Sequence, residues 1–293
     1  MIILQLSGGI GNQLFQYAFG KAFAIRNRCK LVLDVQSFNY DVLREFALDN
    51  YSIEAQIATI EEINRVKNGS VSFSKRLFAM FGVRRINYFD LPYLIEPAFS
   101  YDENVVKYRK RDVYFQGYWQ SEKYFNSIRS VLLHDFKLKK QVSVVTNEWL
   151  LKIKSSQSVS VHIRRGDYIS NSETNSFHGI CPISYYEKAL DYFTKKDCNT
   201  VFFIFSDDIA WAKETFNAYQ NCFAVSDVPY DYEELFLLSK CKNNIIANST
   251  FSWWGAWLNE NSEKIVIAPE KWFENDTMQA QAQWLIPESW IKI

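Results

Sequence analysis

Two adjacent arginines, Arg164 and Arg165, close the apolar run Val159-Ser-Val-His-Ile-Arg-Arg-Gly-Asp-Tyr168. Val159, Val161 and Ile163 alternate with Ser160, His162 and Arg164 at the period of two that a strand imposes. Gly166 breaks the strand and leaves His162, Arg164, Arg165 and Asp167 at its carboxyl end, where open α/β sheets bind ligands. Guanidinium groups there need an anionic partner, and a diphosphate matches their forked donors. Arg164 falls on the strand face of His162 while Arg165 points differently. A structural ion pair with Asp167 or another acid is therefore the plainer reading for Arg165 than for Arg164.

Three further segments carry chemistry. In Ala247-Asn-Ser-Thr-Phe-Ser-Trp-Trp-Gly255, Asn248, Ser249 and Thr250 follow an apolar strand and precede a helix. A helix start with hydroxyls beside it is an anion site, and capping by Ser249 or Thr250 is compatible with that use. Trp253 and Trp254 read as packing rather than sugar stacking. Ser206-Asp207-Asp208 ends another apolar run. Its two acids suit a metal, a ribose or guanine, or capping of the next helix by Asp207, yet the chain holds no Asp-x-Asp motif. In Gly8-Gly-Ile-Gly-Asn-Gln13, Gly9 and Gly11 match the first two glycines of a dinucleotide fingerprint. Leu14 stands where the third is needed, and Asp34 is the lone match for a ribose acid, so NAD is a poor fit. Asn12 is either a polar contact near a reacting centre or part of a plain tight turn.

A proton acceptor is harder to choose. Asp167, His162, His178 and Glu173 are candidates, the last pair on the loop 169–181. Asp167 ranks first for its place beside the arginines, and His178 second.

The elements that position these residues follow from periodicity. Ile2–Leu6, Leu31–Asp34, Val113–Gly117 and Val201–Phe205 read as strands, with shorter apolar runs at Cys222–Val225, Asn244–Ala247 and Lys264–Ile267. Helices are expected over 13–26, from a capping box at Thr59, over 122–133 after Ser121, and over 142–153, 184–194, 232–240 and 251–258. Residues 35–111 lack a clear period and read as irregular helices and loops. Alternation of strand and helix means parallel, doubly wound sheets. The expected domains are 1–140 and 141–275, with a tail, 276–293, packing back on the first.

Bulk properties exclude several classes. The 293 residues are 48% hydrophobic and 23% charged, with 33 bases against 33 acids. A neutral chain supplies no field for nucleic acid. The basic cluster Lys107, Arg109, Lys110, Arg111 reads as solvated surface, with an anionic acceptor or lipid as the minority reading. Five scattered cysteines without a CxxC pair argue against a metal cluster or a disulfide framework and fit a reducing compartment. No secretory leader or membrane-length apolar run is visible. A cytoplasmic protein is expected, with peripheral contact at the inner membrane face as an option.

The string His162-x-Arg164-Arg165-Gly166-Asp167-Tyr168 resembles the signature of family 11 glycosyltransferases, the bacterial and animal α-1,2-fucosyltransferases. It is more distantly similar to nodulation, core α-1,6- and protein O-fucosyltransferases. Gly9-x-Gly11-Asn12-Gln13, Asn248–Ser252 and Phe115-Gln-Gly-Tyr-Trp-Gln-Ser-Glu-Lys-Tyr-Phe125 resemble other segments of that family.

The resemblance implies two Rossmann-like domains facing a cleft, the GT-B architecture. It implies inverting, metal-independent transfer of L-fucose from GDP-β-L-fucose to the 2-hydroxyl of a galactose-terminated glycan, with no cofactor. Arg164 would hold the β-phosphate, and Asn248, Ser249, Thr250, Phe251 and Ser252 the pyrophosphate. Asp207 and Asp208 would recognise the nucleotide, and Asn12 would face the donor. His162, Arg165, Gly9 and Gly11 complete the donor side. Tyr118, Trp119 and Gln120 would line the acceptor side, interdomain packing being the equal alternative. The rival classes are a non-catalytic nucleotide-sugar binder and, more remotely, an NAD-dependent oxidoreductase.

Overall fold

A computed structural model of the chain describes residues 1–68, 91–165, 179–219 and 221–293. The chain divides into two compact units, Met1–Lys139 and Lys140–Ile293.

The first unit holds a five-stranded sheet in the order β3-β2-β1-β5-β4. Its strands are β1 (Ile2–Gln5), β2 (Leu31–Asp34), β3 (Gln56–Ile57), β4 (Tyr93–Ile95) and β5 (Val113–Gln116). Each pairing is parallel. The helix α1 (Ile10–Asn27) links β1 to β2 and buries Leu14, Phe15, Ala18, Phe19, Ala22 and Phe23 at the three-and-four spacing of an apolar stripe. The order places a topological switch point between β1 and β5, where the chain turns to opposite sides of the sheet.

Between β2 and β5 the described residues include α2 (Ile60–Lys67) and α3 (Glu103–Lys107). Thr59 and Glu62 close the capping box at α2, with Thr59 Oγ1 accepting from the Glu62 N–H at 3.2 Å. The helix expected over 122–133 is instead two short 3-10 turns, Glu122–Tyr124 and Asn126–Ile128, followed by α4 (Arg129–Asp135). Tyr124 and Phe125 are consecutive and both buried.

The second unit holds six parallel strands in the order β11-β10-β9-β6-β7-β8. Its elements run α5 (Val144–Lys154), β6 (Gln157–Ile163), α6 (Ile183–Lys196), β7 (Thr200–Ser206), α7 (Ile209–Phe216) and β8 (Cys222–Ala224). They continue through α8 (Asp231–Lys240), β9 (Asn243–Ile245), α9 (Thr250–Trp257), β10 (Val266–Ala268), α10 (Asp276–Gln281) and β11 (Ile291–Lys292). Val159, Val161 and Ile163 on one face of β6 join Tyr185, Tyr186 and Ala189 of α6 in the core. The opposite face, Ser158, Ser160 and His162, is also buried, as a parallel sheet covered on both sides requires. Here the switch point falls between β6 and β9.

Residues 276–293, read from sequence as a tail that could pack back on the first domain, fall within the second unit. Ile291 and Lys292 pair with Ile267 and Ala268 at the edge of its sheet. Trp290 lies beside Trp253, whose indole N–H donates to the Leu285 carbonyl at 2.8 Å. A strand of only two residues carries too little periodicity to be read from sequence.

Candidate functional site

The polar groups that the sequence singles out gather at the carboxyl ends of the strands flanking each switch point. In the second unit these are the segments after β6 and β9, joined by Asp207 and Asp208 after the neighbouring strand β7. Arg164 follows β6 directly, and its Nη1 lies 3.0 Å from Asp207 Oδ2 at the end of β7. Both side chains remain about a quarter exposed, 24% and 23%. The other oxygen of Asp207 accepts the Arg165 N–H at 2.8 Å. One carboxylate thus fixes both the backbone and the guanidinium at the strand end. Arg164, for which an acidic partner was the less expected outcome, has one here.

Arg165 turns to the other face. Its guanidinium stacks on Trp211 at 3.7 Å, and its Nε lies 3.6 Å from Asp208 Oδ2. Asp208, not Asp207, caps α7 by accepting the Trp211 N–H at 3.1 Å. The cap sits one residue later than expected because Asp207 already holds the arginine segment. Asp208 thereby serves the helix and Arg165, while Asp207 faces the switch point.

Across that point lies the start of α9. Ser249 is its cap, accepting from the Phe251 N–H at 3.3 Å, and Ser252 Oγ donates to the carbonyls of Ala247 and Ser249. The Asn248 side chain is a clasp: its amide donates to the carbonyls of Gly179 (3.1 Å) and Trp272 (3.2 Å), and Cys181 Sγ donates to its Oδ1. The Asn248 amide is thus committed to the fold, and the first-turn N–H groups of α9 are the part of the segment chemically suited to an anion. Trp253 and Trp254 are fully buried, as packing residues.

His162 lies beneath, buried, its ring 5.3 Å from that of Phe251. Burial, and then the Arg164 charge, push its pKa down to about 3. A buried imidazole held neutral in this way is poorly suited to accept a proton. Asp167, His178 and Glu173 lie outside the described residues.

In the first unit, Gly8 has φ +74, and a Cβ there would stand 2.7 Å from Asn12 Nδ2. A side chain is therefore excluded twice, by conformation and by space. Gly9 caps α1 through its carbonyl, which accepts from Asn12 and Gln13, and Gly11 is buried in the helix. Asn12 Oδ1 accepts from Gln120 Nε2 at 2.9 Å, which joins the first turn of α1 to the loop after β5. Trp119, expected on the acceptor side, is 0% exposed and stacks on Phe19 at 4.1 Å inside this unit. Tyr118 beside it is exposed. Asp34, the sole support for NAD, is buried and accepts from the Tyr114 hydroxyl at 2.6 Å.

Gln13 closes the glycine motif without an assigned role, and Gln16, Glu96 and Glu234 were invisible to motif reading. Gln13 donates to the carbonyls of Gly8 (2.9 Å) and Glu45 (2.8 Å), and Gln16 accepts from the Ser7 N–H and donates to the Gly117 carbonyl. Two glutamines inside an apolar helix stripe were the available signal, since buried amides must bind something. Glu96 accepts from the Tyr118 and Trp119 N–H groups at 2.7 and 3.0 Å, and burial pushes its carboxyl up to about 7 against those bonds. Glu234 is raised to about 7 by burial and by the charges of Asp231 and Asp207. Neither glutamate stands in a recognisable motif.

Among the described residues no group of three or more His, Cys, Asp or Glu side chains could hold a metal ion. No helix among them is long and apolar enough to cross a membrane.

Two parallel α/β units with polar loops at their switch points define the GT-B class of glycosyltransferase fold. The structure is similar to that of NodZ alpha-1,6-fucosyltransferase co-crystallised with GDP, with a TM-score of 0.50, 15% identity and coverage of 87% of this chain and 90% of that one. It is similar also to POFUT1 in complex with GDP-fucose, with a TM-score of 0.52, 13% identity and coverage of 90% and 95%. The chain belongs to glycosyl transferase family 11, whose model matches residues 1–293. It is 36% identical to the Escherichia coli O-antigen biosynthesis glycosyltransferase WbnK over 98% of this chain and 99% of the relative. It is also 36% identical to an Escherichia coli alpha-1,2-colitosyltransferase over 100% and 99%. Rat galactoside alpha-(1,2)-fucosyltransferase 2 is 33% identical over half of the chain and 44% of its own length.

Proposed function

We propose that the protein transfers L-fucose from GDP-β-L-fucose to the 2-hydroxyl of a galactoside, with inversion and without a metal ion. The observation that carries this reading is the placement of Arg164 and the α9 start on the two sides of the β6/β9 switch point. A guanidinium and a helix amino end there supply the positive charge a departing diphosphate needs. Asp207 keeps the guanidinium oriented until the diphosphate arrives.

The acceptor 2-oxygen attacks the anomeric carbon of fucose as the bond from that carbon to the β-phosphate oxygen breaks. The electron pair leaves on GDP, the acceptor proton passes to a base, and the β-linked donor gives an α-linked product. Asp167 ranks first as that base and His178 second. Asn12 and Gln120 are the polar pair on the acceptor side.

Arg164→Ala should lower kcat with GDP-fucose by about a hundredfold or more, the scale of a lost charge-stabilising donor. Near-normal turnover in a folded Arg164→Ala protein would overturn the mechanism. Activity should survive EDTA, and its abolition would assign a metal, with Asp207 and Asp208 as first suspects. No release of GDP from GDP-fucose, with or without a galactoside, would favour the binder over the transferase.

Similarity along the whole chain to an alpha-1,2-colitosyltransferase supports a second donor reading. Colitose lacks the fucose 3-hydroxyl, so parallel kcat/KM values for GDP-fucose and GDP-colitose decide between them.

A further inference from the structure

The turn after β5 is held in an unusual conformation. Gly117 has φ +150 and Trp119, a bulky residue, has φ +56 in the left-handed region. Such a backbone persists only where its surroundings over-determine it. Glu96, the residue after β4, supplies the constraint. Its N–H extends the ladder to the Gln116 carbonyl at 2.7 Å, and its carboxylate grips the Tyr118 and Trp119 N–H groups. The approach needs glycine at 117, where a Cβ would stand 2.4 Å from the Glu96 Cβ.

The outcome of the constraint is directional. The Trp119 ring goes into the core between Phe19 and Tyr124, Tyr118 is left outside, and Gln120 reaches Asn12. Glu96 and Gln120 line the same small cavity with Phe99, Ser100 and Tyr124.

We propose that Glu96 is a positioning residue, whose carboxylate fixes the 117–120 turn so that Gln120 is presented to Asn12 on the acceptor side. This rests on reading residues 118–120 as acceptor-side. Glu96→Gln keeps the side chain's shape but turns a donor amide toward one of the two N–H groups. Its kcat/KM for lactose should fall about tenfold, while KM for GDP-fucose stays within about twofold, a split that general loosening would not give.

Gln120→Ala should produce a similar loss, and the double variant should be no worse than Gln120→Ala alone, because both changes remove one effect. Multiplying losses, unchanged lactose kinetics, or parallel rises in both KM values would overturn the proposal. Should Glu96→Gln fail to fold, hydrogen exchange on the natural protein decides. The Tyr118 and Trp119 amides should exchange at least about a hundredfold slower than in an unstructured peptide, and fast exchange would defeat the anchoring. A natural protein inert with GDP-fucose and lactose would count against the functional reading instead, and the exchange measurement would still judge the anchor.

Discussion

Arg164 and Asp207 meet at 3.0 Å from the ends of neighbouring strands, and the same carboxylate receives the backbone N–H of Arg165. The contact orients a guanidinium at the switch point, yet its partner competes with any anion that arrives there. At a quarter exposed, such a pair contributes little to stability, on the order of 1 kcal/mol or less. Asp207→Asn keeps an oxygen for the Arg165 N–H and removes the competing charge. Its unfolding midpoint should shift by no more than a few degrees. GDP affinity should stay equal or rise, by calorimetric titration, while kcat falls about tenfold because the guanidinium loses its orientation. Weaker GDP binding would mean that Asp207 contacts the nucleotide itself.

Arg164→Lys separates charge from geometry. Lysine supplies a point charge without the two-pronged donor set of arginine. Turnover should recover by less than about tenfold over Arg164→Ala. Full recovery in steady-state assays would show that charge alone suffices.

Gly8→Ala forces an alanine into φ +74 and a methyl to within 2.7 Å of Asn12 Nδ2. A stability loss of about 1–2 kcal/mol is expected from the backbone. Activity should fall further than stability, because the amide that receives Gln120 is displaced. Circular-dichroism melting and kinetics on one preparation compare the two losses.

Gly255→Ala tests the seat of α9. A methyl there would lie 2.7 Å from the Leu238 Cβ on α8, inside a close helix contact. Overpacking of this kind costs about 1–3 kcal/mol. GDP binding should weaken with it, since tilting α9 moves the N–H groups at its start. Unchanged GDP affinity in a destabilised protein would detach α9 from the donor site.

Glu234 gives stability a pH dependence of definite sign. Its folded pKa, raised by burial and by Asp231 and Asp207 to about 7, exceeds the ordinary 4.5 of the unfolded chain. The folded state therefore binds this proton more tightly. Stability from this group is full below about pH 4.5, declines as pH rises toward 7, and levels off above. Glu234→Gln removes the decline, so its stability relative to the natural protein should grow across that window. The gain is bounded at about 3 kcal/mol. Urea unfolding of both proteins at pH 5 and pH 7.5 measures it, and a constant difference would refute the assignment.

The longer strands and the places of the polar loops were written in local patterns, while the short edge strands β3, β4 and β11 were not. Alternation marked β6, apolar runs marked β7 and β9, and glycines and hydroxyl-rich helix starts marked the turns beyond them. Arg164, Ser249 and Asn12 could be chosen from those patterns because each sits close beyond an element that declares itself.

What the patterns could not hold was who meets whom. Asp207 lies 43 positions from Arg164, and Glu96 lies 23 from the Trp119 N–H it receives. Which acid takes which arginine, which tryptophan faces inward and which glutamate ties a turn depend on sheet order and on distances across it. A residue's type and neighbours along the chain set its secondary structure. Its hydrogen-bond partner and its pKa are set by what packing brings beside it, and only the folded chain decides that.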